Sequence, residues 1–162
     1  MNANAFRHFY DYHFAENRKI WDSVTQLSHE GFTQHVDYSY GSVRDQIVHL
    51  MSCDEMWFSE LRDAQPLEPL PSTNSDDRDI IRAYWDTAEQ NIRTYLAELR
   101  DDMLFTKPIK EPEEDQVLFV WQVLLHVANH ATDHRAQLLR VLHDLGVETK
   151  SQDYIFYVYE NQ

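Results

Sequence analysis

Three features of the sequence predict an all-α fold, a four-helix bundle forming one domain over residues 1–162. Only three glycines occur in 162 residues, too few for a turn-rich β fold. Four long stretches repeat apolar residues every three or four positions, the period of a helix with one buried face. All five prolines lie between those stretches, where they interrupt helices without breaking their interiors.

The first stretch carries Phe6, Phe9, Tyr10, Phe14, Ile20, Trp21, Val24 and Leu27, and predicts a helix from near residue 3 to near residue 28. His13 and Asn17 fall on or beside its inner face, either hydrogen-bonded in the core or lining a pocket. Residues 31–40 read as a connecting loop. Ser42, with Asp45 three residues later, resembles an N-cap and an acidic third position, so the second helix starts there, with Val43, Ile47, Leu50, Met51, Trp57, Phe58 and Leu61 as its apolar face. His49 lies at the edge of that face. Cys53 shares its side, and Asp54 points inward and needs a partner.

Gln65 to Ser75 holds three prolines in eleven residues and reads as a crossover. Asp76 and Asp77 favour the N-terminus of a third helix, which carries Ile80, Ile81, Tyr84, Ala88, Ile92, Tyr95, Leu96 and Leu99 to about residue 100. Met103 to Asp115, interrupted by Pro108 and Pro112, is expected to hold a short extended hairpin with an acidic tip. The fourth helix runs from about 116 to 145 and stops at Gly146. The aromatic tail Asp153 to Tyr159 is expected to pack on the bundle as a short helix or to pair with another subunit.

Charge and composition limit the partners. A formal charge of −14 repels a phosphate backbone and anionic lipid alike, so neither nucleic acid nor a membrane is expected as a partner. No apolar run is long enough to span a bilayer, and the first residues lack the pattern of a secretory signal. A single cysteine excludes an internal disulfide and fits a reducing, cytoplasmic setting.

The chemistry concentrates in the fourth helix, where His126, His130 and His134 recur at intervals of four and so share one face. At about 100° per residue, His134 lies about 40° from the centre of the buried stripe, His130 about 80° and His126 about 120°. The row climbs from the rim into the core. A buried imidazole needs a partner on each ring nitrogen, and a metal on one with an acceptor on the other satisfies both. Two imidazoles from this helix and one from the second make a neutral three-nitrogen site that suits zinc, and also nickel, iron or manganese. Three protein ligands leave a coordination position open, as catalytic sites do. The His-Glu-x-x-His of zinc proteases, the paired Glu-x-x-His of di-iron bundles, Ser-x-x-Lys and Gly-x-Ser-x-Gly are all absent.

Ser42-Val-Arg-Asp-Gln-Ile-Val-His49-Leu, with Trp57 eight residues further on, and Leu125-His126-Val-Ala-Asn-His130-Ala-Thr-Asp-His134-Arg-Ala-Gln137 resemble the DinB/YfiT-like metal-binding bundles. The likeness covers nearly the whole chain, including the proline-rich crossover and the tail from Asp153. It implies an up-down-down-up bundle with a long link between the second and third helices, and often a homodimer. It matches His49, His130 and His134 to the metal ligands. Ala136 stands where many relatives have glycine. Family members of known activity include thiol S-transferases using bacillithiol or mycothiol, a mycothiol-dependent isomerase and proteins described as metal-dependent hydrolases. The expected function is therefore a metal-dependent enzyme activating a small thiol or water toward a small-molecule substrate. The competing reading is a non-catalytic metal-binding or stress-response protein, for which Cys53 or Asp54 would be the nearest fourth ligand. His126, Asn17 and Asp133 are candidates for supporting roles around the site.

Overall fold

The computed structural model describes residues 1–70 and 77–161. Six α-helices follow in order: α1 (Ala3–Val24), α2 (His29–Thr33), α3 (Val43–Arg62), α4 (Arg78–Glu98), α5 (Val120–Asp144) and α6 (Tyr154–Glu160). The four long ones, α1, α3, α4 and α5, form the bundle.

Their directions follow from which residues meet. Tyr10 bonds the carbonyl of Leu124, and Asn17 bonds Arg135, so α1 and α5 run parallel. His13 meets Asp54 while Tyr10 meets Phe58, so α3 runs against α1. Arg7 reaches the carbonyls of Leu96 and Leu99, whereas Arg18 pairs with Glu89, so α4 also runs against α1. The order is up-down-down-up. Parallel α3 and α4 require the chain to travel the length of the bundle between them, which explains the extended crossover. Gln65 to Leu70 has no regular structure; the remainder of the crossover and Asp76 lie outside the described residues. Asp77 caps α4 through the amide of Ile80.

Local chemistry sets the helix ends. Asn2 accepts from the amide of Ala5 and starts α1. Ser42 accepts from the amide of Asp45 and donates to its carboxylate at 2.7 Å, fixing the first turn of α3. The first helix stops at Val24, earlier than its periodicity suggests. Ser28 caps a new turn by accepting from Gly31, so the expected loop begins with α2, which buries Phe32.

The extended hairpin expected at Met103–Asp115 does not form, and no strand occurs among the described residues. Two single 3-10 turns, Asp101–Phe105 and Glu113–Val117, take its place. Pro108 and Pro112 remove donors that a strand ladder needs, and three acidic residues open the second turn, where helical amides favour them. Burial of Leu104 and Ile109 holds the segment to the bundle. This second turn also delays α5 to Val120, where the Gln122 side chain accepts from the amide of Phe119. The tail forms α6, with Tyr154 edge-on to Phe9 and Tyr12 of α1. No described helix is long and apolar enough to cross a membrane.

The core is divided in two. Phe6, Tyr10, Phe14, Phe58, Tyr95 and Leu124 fill one end, and Ile20, Trp21, Ile47, Leu50, Trp85 and Leu138 fill the other. Between them lies a buried polar layer of His13, Asn17, Asp54 and Arg135.

Candidate metal centre

Helices α3 and α5 meet across the polar layer, and His49 from α3 faces His130 and His134 from α5. One ligand-capable atom from each of the three lies within 4.8 Å of the other two. The Nε2 atoms of His130 and His134 are 3.1 Å apart. Two nitrogens on one tetrahedral zinc at about 2.0–2.1 Å stand about 3.3 Å apart, so this pair is already spaced for a shared cation. Exposure along the row follows the helical phase: His126 is exposed, His130 is half-buried and His134 is 8 % exposed.

A chain of hydrogen bonds sets the tautomer of His134. Asp133 accepts from the side-chain amide nitrogen of Gln137 at 3.1 Å, which turns the amide oxygen toward His134. That oxygen lies 3.2 Å from Nδ1 of His134. Nδ1 therefore carries the proton, and Nε2 presents its lone pair to the site. Ser39 also donates to the Gln137 oxygen and ties the loop before α3 to α5. From the same loop, Tyr40 stacks on His49 at 3.8 Å between ring centres and 19° between planes, and stands edge-on to His134. Gly41, with φ +89°, makes the turn that follows, and a Cβ there would approach His35 to 3.1 Å.

The site favours neutral imidazoles. Burial, followed by the neighbouring His134 and His130, pushes His49 down to about 4, and burial with His134 lowers His130 as well. These two rings are therefore neutral near neutral pH, each with one protonated nitrogen and one that offers a lone pair. Cys53 lies 3.6 Å from both ring nitrogens of His49, but burial and the nearby Asp54 charge raise its thiol to about 11. Neither Cys53 nor Asp54 belongs to the three-histidine group. His130 opens onto a surface hollow of about 490 Å³ bordered by His126, Asn129 and Asp133.

The sequence model of the DinB family matches residues 1–162. The chain belongs to the DinB family. It is 23% identical to Protein DinB of Bacillus subtilis (strain 168) over 167 aligned residues, spanning 98% of this chain and 96% of that protein. In structure it resembles a conserved protein from Enterococcus faecalis, known from a crystal structure, with a TM-score of 0.69 and 12% identity. That likeness covers 84% of this chain and 94% of the other, and it supports the DinB-like bundle fold.

The remaining candidates take different places in this DinB-family chain. His126 stands edge-on to Trp57 at 5.1 Å, outside the three-histidine group. Asn17 and His13 lie in the polar layer. Arg135, fully buried, donates to Asn17 Oδ1 at 2.9 Å, Gln152 Oε1 at 3.0 Å, Thr132 Oγ1 at 3.1 Å and His13 Nδ1 at 3.4 Å. Because His13 Nδ1 accepts, its Nε2 carries the proton and donates to Asp54 at 3.0 Å. His13 thus answers one oxygen of Asp54, Oδ2, while the buried Oδ1 makes no hydrogen bond among the described residues. His8, His29 and His35 are exposed. Periodicity does not reach Ser39 and Tyr40, which lie on an irregular loop; a tyrosine beside Gly41, just ahead of α3, is the available signal.

Proposed function

We propose that this protein binds one divalent metal ion through His49, His130 and His134 and uses it to activate a small thiol for transfer to an electrophile. The observation that carries the reading is the convergence of three imidazoles, two of them 3.1 Å apart, beside an open surface hollow. Zinc or nickel suits this donor set best, with iron or manganese as further candidates. A divalent cation there would supply Lewis acidity, lowering the pKa of a thiol or water in the position that three ligands leave open.

The chain's own residues have defined tasks in this reading. Gln137, oriented by Asp133, holds the His134 ring so that Nε2 faces the site. Tyr40 fixes the plane of His49. His130, half-buried at the hollow, brings the site to the surface where a small-molecule substrate can arrive. A neutral ligand set leaves the cation's charge undiminished for stabilising a thiolate. The lone free thiol, Cys53, suits a reducing cytoplasm.

The test combines metal analysis with turnover. Wild-type protein should hold about one divalent ion per chain, since three histidines converge on a single point. His49→Ala, His130→Ala and His134→Ala should each lose it. Low-molecular-weight thiols, tried singly with monochlorobimane, should be consumed only by metal-loaded protein. Full occupancy in all three variants would reject the site. Metal-dependent ester or amide hydrolysis without thiol consumption would assign the site to water activation, and neither activity would leave a non-catalytic metal protein.

A further inference from the structure

A second cavity, of about 1000 Å³, runs between α1, α5 and the segment entering α6. Phe9, Tyr12, Trp121, Leu125 and Tyr154 make its walls, and among the described residues Asp153 is the one Asp, Glu, Lys or Arg side chain that lines it. We propose that this groove binds an organic cation, an ammonium group carried on an apolar or aromatic body.

Three observations lead to that class of ligand. Four aromatic rings, Phe9, Tyr12, Trp121 and Tyr154, line one cavity, and clustered aromatic rings are the surface that recognises ammonium groups in aromatic cages. The Asp153 carboxylate lies in the wall; it caps no amide at the start of α6 and pairs with no basic side chain among the described residues. No Lys or Arg lines the groove among the described residues, so no fixed positive charge is placed there to favour an anion over a cation. The nearest guanidinium, Arg135, lies 5.9 Å from the centre of the Tyr12 ring and is buried, with its donors directed to Asn17, Gln152 and Thr132. The overall charge of −14 attracts cations to every mouth on the surface.

The volume suits a small organic molecule, since ligand clefts commonly enclose about 300–1,000 Å³. It is far larger than an ammonium group alone, so an apolar body must fill the remainder along Trp121 and Leu125. His126 and Asn129 border both this groove and the hollow at His130. A bound cation would therefore sit beside the three-histidine group without using it. The proposal stands apart from the metal reading, because binding here needs none of His49, His130 or His134.

The experiment follows Trp emission during titration with benzyltrimethylammonium, its neutral isostere neopentylbenzene and the anion benzylsulfonate. Variants Trp121→Phe and Asp153→Asn are titrated in parallel, on full-length protein with and without added zinc. The cation should change emission saturably and bind about tenfold more tightly than the isostere, the ratio expected for a partly desolvated cation–π contact. Benzylsulfonate should bind more weakly than either. Asp153→Asn should weaken the cation several-fold and leave the isostere unchanged, and Trp121→Phe should remove most of the emission change. Equal affinity for cation and isostere, or an Asp153→Asn variant that binds the cation like wild type, would overturn the proposal. A midpoint that shifts with protein concentration would also overturn it, assigning the groove to a second copy of the chain.

Discussion

Gln137 lies one turn below His134 on α5, with its side-chain oxygen 3.2 Å from Nδ1 of that imidazole. The pair determines which nitrogen of His134 is free, and Asp133 determines it in turn by holding the Gln137 amide. Partners of this kind, hydrogen-bonded to a ligand's second nitrogen, commonly contribute about 10- to 100-fold to metal affinity. Gln137→Ala should therefore weaken zinc binding by about that factor while the fold persists. Asp133→Asn should lose less, since Gln137 keeps its contact with His134. Competition titration against a zinc chelator measures both, and unchanged affinity in Gln137→Ala would remove the residue from the site.

His126 offers a second discrimination. It belongs to the same row as His130 and His134 yet is exposed, stacks edge-on to Trp57 and lies outside the ligand group. His126→Ala should keep nearly full metal content, whereas His130→Ala and His134→Ala should not. Elemental analysis after dialysis decides it. An equal loss in His126→Ala would show that the row presents a different pair to α3.

Much of this arrangement is legible in the sequence because it is periodic. The four-residue spacing of the histidines fixes their common face, and the phase against Val127, Ala131 and Leu138 orders their depths as the structure has them. The four long helices follow from the same period. What periodicity cannot report is irregular backbone and side-chain pairing between distant segments. Ser39 and Tyr40 reach the site from a loop, with Ser39 at φ 52° and Gly41 at φ +89°. The prolines of residues 103–115 suggest hairpin punctuation, but the acidic residues that follow Pro112, Glu113 to Asp115, favour a 3-10 turn. Asn17 and His13 were recognisable as buried polar residues, while their shared partner, Arg135, was not: a buried arginine differs from a surface one only through contacts with α1 and the tail.

Arg135 carries a stability prediction. Its guanidinium satisfies Asn17, Gln152 and Thr132 in the layer between the two core clusters. Arg135→Met would leave those groups without their donor and remove a cation near Asp54. Breaking buried charged networks from one side typically costs about 3–5 kcal/mol. For a chain of this length that corresponds to a fall of about 10 °C in Tm. Arg135→Lys should recover little of it, because an ammonium cannot reproduce the planar fork. Thermal melts of the two variants test this, and a drop of one or two degrees in Arg135→Met would mean that the layer adds little to stability.

Association is predicted from α6. Tyr154 packs on α1, but Ile155, Phe156 and Tyr159 remain 42%, 49% and 64% exposed on a helix of seven residues. A second chain would cover this face, and with −14 on each protomer the association should tighten as salt screens the repulsion. Light scattering should give a mass near twice 19.4 kDa, and Phe156→Glu should shift it to the monomer. A monomer at every salt and protein concentration would reject the dimer.

The final prediction concerns acid stability of the metal-free protein. Burial and the two neighbouring imidazoles lower His49 from 6.5 to about 4, and His130 is lowered in the same sense. A base whose folded-state pKa lies below its unfolded value binds fewer protons folded than unfolded across the interval between them. Acid therefore favours the unfolded chain there. The contribution of His49 is fully present above about 6.5 and declines as the pH falls toward about 4. Metal-free wild type should thus lose Tm over this window, and His49→Ala should lose less over the same window because its contribution to the slope is gone. Carboxylates that titrate at lower pH affect both proteins alike, so the difference between the two curves is the readout. Parallel Tm curves from pH 7 to pH 4 would show that His49 titrates normally in the folded chain, and a site of pre-neutralised imidazoles would then be excluded.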